Sequence, residues 1–502
     1  MPELRVDVSM RTVAFAALIA VSSCPPLDAL AGSAAQAVAA PVSTPATEAA
    51  HALIAALNSD SAARRAFAEG FTTTALQRES ATARAARLDR LARDAGGFEL
   101  VSLTPNGEQM VEVVAVTRRE RRFARFVLFT SRREPGRPMD LFVLRTRDPA
   151  AAARDAWPSE PVPVENLPGE IARRLEALEA EDRFSGGVLV ARDDQVVFRG
   201  AYGLADRRWS VANRSDTQFQ IGSISKMFTA AAVMRLAENG RLSLDDTLAR
   251  WVPEYPDQEA AKRITLRHLL THRAGIGDWD GRPLGQVTPR EAAATMTAPH
   301  AFAPDEGFAY SNAGYVLLGA VIEAASGQPF DDAIERLVFR PAGMTRTDNR
   351  PVTEPVPNRA AGYLRPEDDP LGFGPRYENS KHLGWGGDAS GGAYSTLDDL
   401  FAFHRALWSG RLLGAEATAE MLTARTDFPG TPQPSEYGYG VRLTKCGTAS
   451  VFGHAGGGAN SGVDASTYVT LDGRWTVIVL SNDDPPAGEE IAASLCEAVV
   501  RN

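Results

Sequence analysis

The period of the apolar positions changes twice along this chain. Residues 48–94, rich in Ala, Leu and Arg, read as helical. The period then drops to two. Residues 98–103 alternate, Pro105-Asn106-Gly107 turns, 110–116 alternate again, and 123–130 and 141–146 read as two more strands. Helices followed by a four-strand meander predict a small α+β domain over residues 48–148. Residues 149–166, rich in Pro, Ala and acids, read as a linker. An amphipathic helix over 167–181 opens a main domain, 167–502. There, 187–191 and 195–199 read as a hairpin across Asp193-Asp194. Helices are expected over 227–236, stopped by Asn239-Gly240, and over 315–325 and 396–407. Late strands are expected at 450–452, 466–471 and 476–480, then a C-terminal helix from near Gly488.

Composition narrows the class. The 502 residues are 44% apolar and 23% charged, as in ordinary globular protein, and a net charge of −10 argues against a nucleic-acid partner. At the start, Arg11 precedes an apolar run over 13–21, and Ala35-Gln36-Ala37 offers a cleavage site. Residues 1–37 therefore read as an export signal and 38–47 as a flexible linker, with a periplasmic or secreted product. Val21-Ser22-Ser23-Cys24 also reads as a lipoprotein cleavage box, against which Pro25 counts. Three cysteines exclude a disulfide-rich scaffold. Cys446 and Cys496 could pair in an oxidising compartment, but sequence does not show that they meet.

Two charged patterns invite functional readings. Arg118, Arg119, Arg121, Arg122, Arg125, Arg132, Arg133 and Arg137 could form a face for an anionic envelope component. A solvated sheet face is the preferred reading, because charge runs are usually just solvated. His268 and His272 have a zinc-ligand spacing, but no Glu follows the first and no third ligand is evident. They read as structural histidines, and no metal is expected.

The candidate chemistry lies in the main domain. Ser223 and Lys226 are three apart where a helix begins, so their side chains share a face. Backbone N–H groups at a helix start lack helical partners and point at whatever lies in front. A serine there has donors for an oxyanion and an amine beside its hydroxyl, which an activated nucleophile needs. Taken singly, Ser-x-x-Lys is more often a helix cap with a solvated lysine. Tyr310 and Asn312 lie two apart in a loop before the 315–325 helix and project to one side when extended. A phenol can pass a proton, and an amide can orient a carbonyl or a lysine. His454 stands in a glycine-rich run at a strand end, where a ligand can approach the backbone. Another glycine-rich stretch, 384–392, precedes the 396–407 helix.

Taken in order, Ser223-x-x-Lys226, Tyr310-x-Asn312 and His454-Ala455-Gly456 resemble the motifs of the penicillin-recognising serine hydrolases. The branch resembled is that of class C β-lactamases, esterases, D-aminopeptidases and DD-carboxypeptidases. Its third motif is Lys-Thr-Gly, with His-x-Gly as a variant. Residues 264–275, Pro341-Ala342-Gly343-Met344 and 477–482 are similar to the family as well. The resemblance covers about residues 184–502 and leaves 48–148 outside. It implies an α+β, β-lactamase/transpeptidase-like fold: a five-stranded antiparallel sheet flanked by helices, with a mostly helical subdomain.

The resemblance also implies roles. Ser223 would attack a carbonyl, Lys226 or Tyr310 would take its proton, and Tyr310 would pass it to the leaving group. Asn312 would position the substrate or Lys226. The N–H groups of Ser223 and Gly457 would form the oxyanion hole, with His454 and Gly456 at the substrate-binding strand. No metal or organic cofactor is implied. The implied substrates are small esters, amides or D-amino-acid peptides. A lysine at 454 would be a permanent cation, whereas histidine is mostly neutral at pH 7. His454 is therefore expected at the cleft wall, sensing substrate charge. Esters, amides and peptides come first; class C-like β-lactamase or DD-carboxypeptidase activity comes second. A catalytically weak acyl-binding or sensor protein is the alternative from another class, and the intact triple argues against it.

Overall fold

A computed structural model describes residues 44–131, 133–134, 136–146, 148–151, 156–158, 160–277, 287–365, 369, 371–372, 374–379, 386–429, 434–458, 461–485 and 487–502. The expected export signal, with Arg11, Cys24 and Ala35-Gln36-Ala37, lies outside these residues, as does most of the linker after it. The chain forms two compact units, Met1–Trp157 with Arg365–Tyr377, and Pro158–Leu364 with Glu378–Asn502.

In the first unit, the end of the expected linker is already helical. The Thr44 hydroxyl accepts the Thr47 amide at 3.2 Å, and Pro45 occupies the first turn, where an N–H would have no helical partner. Four helices follow, Pro45–Leu57, Ser61–Glu69, Thr73–Arg78 and Ala81–Ala95, each opened by a Thr, Asp or Ser cap. The strands Phe98–Asn106, Met110–Thr117, Phe123–Thr130 and Pro138–Thr146 then pair antiparallel in chain order. Alternate residues, Val111, Val113 and Ala115 on one strand and Ala124, Phe126 and Leu128 on the next, enter the unit's core. Leu371, from the late segment, joins that core.

Four arginines of the run are engaged or buried within this unit, whereas Arg118, Arg119 and Arg133 are exposed. Arg121 pairs with Glu99 at 2.6 Å, and Arg125 is buried. Arg122 donates to the Leu371 carbonyl at 3.1 Å and to that of Gly372. Arg137 donates to the carbonyls of Gly70 and Phe71. These contacts give the charge run structural work and lend no support to an anion-binding face. Arg132 lies outside the described residues.

In the second unit, helix Leu167–Ala180 leads into an eight-stranded antiparallel sheet. Its order is Thr426–Phe428, Ser435–Tyr437, Arg442–Cys446, Ala449–Gly457, Asp464–Thr470, Trp475–Ser481, Gly186–Arg192, Gln195–Tyr202. The last five in that order are the long strands. The first three extend the sheet beyond the five strands expected, and they are too short to show an alternating pattern. Cys446, at the end of one of them, is disulfide-bonded to Cys496 in the C-terminal helix Ala487–Val499.

Helix Ser225–Glu238 is buried on almost every side. Phe228 meets Phe339 and Phe403 edge to face at 5.3 and 4.9 Å. A helix apolar all round belongs in an interior, and this one carries Lys226 there with it.

Helix Leu397–Trp408 carries His404, buried beside Phe403 and Phe452 with neither ring nitrogen partnered among the described residues. Burial pushes its pKa down to about 3. The unfolded chain takes this proton near pH 6.5, so the folded state keeps its full stability above that pH and loses it as pH falls toward 3. Going from pH 7 to pH 5 should remove about 2 kcal/mol through this group alone. His404→Leu should therefore show a smaller fall in urea midpoint between these pH values than the wild type. Equal falls would refute the assignment.

Candidate active site

The site begins with a 3-10 turn, Gly222–Ile224, that feeds helix Ser225–Glu238. Gly222 has φ of 49°, and a Cβ there would lie 2.6 Å from the Gly457 nitrogen. A Cβ on Gly456 would lie 1.9 Å from the Ile221 carbonyl oxygen and 2.8 Å from the Ser223 nitrogen. Only glycines let the end of strand Ala449–Gly457 press against the Ser223 turn. The backbone carrying the Gly457 N–H thus runs beside the one carrying the Ser223 N–H.

Lys226 is fully buried and ties the site together. Its Nζ donates to Ser223 Oγ at 3.2 Å, to Asn312 Oδ1 at 2.7 Å and to the Ser390 carbonyl at 2.5 Å. Asn312 is the first residue of helix Asn312–Ser326, capped by the buried Ser311 hydroxyl, which accepts the Gly314 amide at 3.0 Å. The Lys226 amine also sits 4.8 Å from the centre of the Tyr310 ring. Burial raises the Tyr310 phenol above its ordinary range, against a smaller opposing pull from the Ser223 hydroxyl. The phenol therefore holds its proton at neutral pH.

His272 shapes the loop that presents Tyr310. It adopts φ of 58°, its carbonyl accepts the Ala309 amide at 3.0 Å, and its Nδ1 accepts the Ser311 amide at 3.0 Å. Its ring lies 4.3 Å from that of Tyr310. His268 accepts the Thr265 amide at 3.1 Å and closes a capping box. Both rings thus hold backbone, which is structural use.

His454 departs from its expected place at the cleft wall. It is only 6% exposed. Its Nδ1 donates to the Ala455 carbonyl at 2.6 Å, which leaves Nε2 to accept the Tyr437 hydroxyl at 2.9 Å. Burial, aided by the charge of Lys226, pushes its pKa down to about 3. A buried, neutral imidazole with both nitrogens engaged cannot sense the charge of a substrate. Sequence showed the imidazole but not its depth.

Three contributors have no motif to announce them. Ser390 acts through its backbone carbonyl, which any residue could supply. Tyr437 comes from a three-residue edge strand. Asp388 lies in the glycine-rich stretch, and its Oδ1 accepts the Ser390 amide at 2.7 Å, the Ser390 hydroxyl at 2.6 Å and the Gly391 amide at 3.1 Å. A cavity of about 160 Å³ opens at this point, with Ser223, Asn312, Asp388, Gly391 and Gly457 among its walls. A nucleophilic hydroxyl, a buried amine, a protonated phenol and two adjoining backbone donors are the parts of an acyl-transfer site.

Comparison with known proteins gives the family. The family model described as "Beta-lactamase" matches residues 171–498. Penicillin-binding protein 4* of Bacillus subtilis (strain 168) is 30% identical over 326 residues, 62% of this chain and 70% of that protein. Esterase EstB of Burkholderia gladioli is 38% identical over 198 residues, 35% of this chain and 50% of that protein. The D-aminopeptidase of Brucella anthropi (strain ATCC 49188) is 29% identical over 315 residues, 61% of this chain and 57% of that protein. The crystal structure of a penicillin binding protein from Bacillus halodurans matches with a TM-score of 0.57 at 29% identity, over 64% of this chain and 98% of that one. By a family match that spans well over half its length, this chain belongs to the β-lactamase family, the serine hydrolases that recognise penicillin.

Proposed function

We propose that the protein hydrolyses small esters, amides or D-amino-acid peptides through an acyl-enzyme on Ser223. The observation that carries this reading is the buried Lys226 amine, which reaches Ser223 Oγ and Asn312 Oδ1 together. In the proposed cycle Lys226 reacts as the neutral amine, still donating to Asn312 Oδ1 and the Ser390 carbonyl but with its lone pair in place of an N–H turned to Ser223 Oγ; Ser223 Oγ attacks the carbonyl carbon and its proton passes to that amine. The tetrahedral oxyanion is held by the Ser223 and Gly457 N–H groups. The C–O or C–N bond breaks, and Tyr310 gives its proton to the leaving group, being replenished from Lys226. Water then enters and reverses the steps, releasing the acid and restoring Ser223. The raised pKa of the buried phenol keeps Tyr310 protonated and so unfit as a base, which leaves Lys226 as the proposed first base.

The names of the esterase and the D-aminopeptidase support this range of substrates. The neutral His454 offers nothing to a substrate carboxylate, which argues against anionic β-lactams as the preferred class. A panel of p-nitrophenyl esters, D-alanyl peptides and nitrocefin tests the ranking. Esters or D-alanyl peptides should show the higher kcat/KM; nitrocefin as best substrate would reverse the assignment. Export through the N-terminal signal belongs to the same proposal. The disulfide between Cys446 and Cys496 supports it, since such bonds persist in oxidising compartments. N-terminal sequencing of the native protein should find a start after Ala37 and not at Cys24.

A further inference from the structure

The cavity beside Ser223 has one charged side chain among its described walls, the carboxylate of Asp388. Its two oxygens are used unequally. Oδ1 takes three donors from Ser390 and Gly391, and the Asp388 backbone N–H is tied to the Gly391 carbonyl at 2.8 Å. That turn needs an oxygen acceptor but no charge, and an asparagine would serve it equally. Oδ2 takes no hydrogen bond or ion pair from the described residues, although the side chain is partly buried. A second carboxylate, Asp331, held by Asn349 at 2.9 Å, lies close enough to feel the charge of Asp388. On the other side, Lys226 engages the carbonyl of Ser390, so that residue stands between the amine and Asp388. A fixed anion facing a small cavity attracts a cation and repels a carboxylate.

We propose that Asp388 is a specificity-determining residue that selects acyl groups carrying a protonated amine near the scissile carbonyl. The substrates would be amino-acid esters, amino-acid amides or peptides with a free N-terminus. The cavity's small volume fits a short acyl group and not a long chain. This selection rests on the acyl-enzyme reading and adds to it the charge of the acyl group.

Three methyl esters of nearly one shape separate the effect of charge: alanine methyl ester, methyl isobutyrate and monomethyl methylmalonate. They place an ammonium, a methyl and a carboxylate on the same carbon. Both alanine enantiomers are used, and hydrolysis is followed by pH-stat at pH 7. Each protein is judged by its ratio of kcat/KM for the alanine ester over the isobutyrate, so a general loss of activity cancels. Asp388→Asn, which keeps the Oδ1 acceptor, should lower that ratio by about tenfold, as expected for a partly desolvated ion pair. It should raise the ratio of the methylmalonate to the isobutyrate. Unchanged ratios would overturn the proposal. Failure of the wild type to hydrolyse any of the three would instead overturn the acyl-enzyme reading, and binding would then decide the role of Asp388. A rise in Tm with alaninamide but not isobutyramide, lost in Asp388→Asn, would support it; equal rises in both proteins would refute it.

Discussion

Ser223→Ala should abolish turnover while leaving the fold intact. Removing the nucleophile of a comparable serine site lowers kcat by about a millionfold, the remainder coming from oxyanion donors and binding. The expected loss here is of that order. The neighbouring serines cannot replace Ser223. Ser225 is buried, donates to the Gly222 carbonyl at 3.0 Å and accepts the Ala393 amide at 3.2 Å. Ser311 is buried as a helix cap. Mass spectrometry after a fluorophosphonate should place the adduct on the Ser223 peptide. An adduct on Ser225 or Ser311, or an active Ser223→Ala protein, would remove the basis of the proposed mechanism.

Gly456→Ala should have the next largest effect, though it adds one methyl and touches no motif side chain's chemistry. That methyl cannot occupy a place 1.9 Å from the Ile221 carbonyl oxygen, so strand and turn must separate. Separation moves the Gly457 N–H away from the Ser223 N–H. Loss of one oxyanion donor costs about a hundred- to a thousandfold in kcat, and that is the expected fall. Tm should fall as well, because the sheet can no longer close on the turn. Circular dichroism and active-site titration restrict the comparison to folded molecules. Wild-type kcat in folded Gly456→Ala would show that this close approach does not build the oxyanion hole.

Residue types at fixed spacing were the legible part of the site. In the proposed mechanism Ser223, Lys226, Tyr310 and Asn312 each act through a side chain, so their chemistry is written in their identity. Ser390 acts through a carbonyl and leaves no such mark. His454 was legible as an imidazole, but its burial depends on Tyr437 and on strands that meet only in three dimensions. The same division runs through the fold. Long alternating strands such as Phe123–Thr130 were readable to the residue. The edge strands Thr426–Phe428 and Ser435–Tyr437 are too short for a period to show. Composition puts Pro45 in a linker, because it does not distinguish a loop proline from one at a helix start. The addition of Arg365–Tyr377 to the first unit is a long-range event that no local pattern encodes.

The sheet's order also sets a timetable for assembly. Strand Gly186–Arg192 pairs with Trp475–Ser481, and Ser481 donates to the Ser185 carbonyl across 296 positions. Strand Ala449–Gly457 reaches that seam only through Asp464–Thr470. A ribosome thus delivers Ser223, Lys226, Tyr310 and Asn312 well before the strands that fix Gly457 beside them. Contacts between such distant parts of a chain form late and slowly. The proposed nucleophile and the proposed oxyanion donor Gly457 therefore meet only when strand Ala449–Gly457 has joined the sheet. On the proposed mechanism, a chain cut before Ala449 would carry Ser223, Lys226, Tyr310 and Asn312 but not the Gly457 donor.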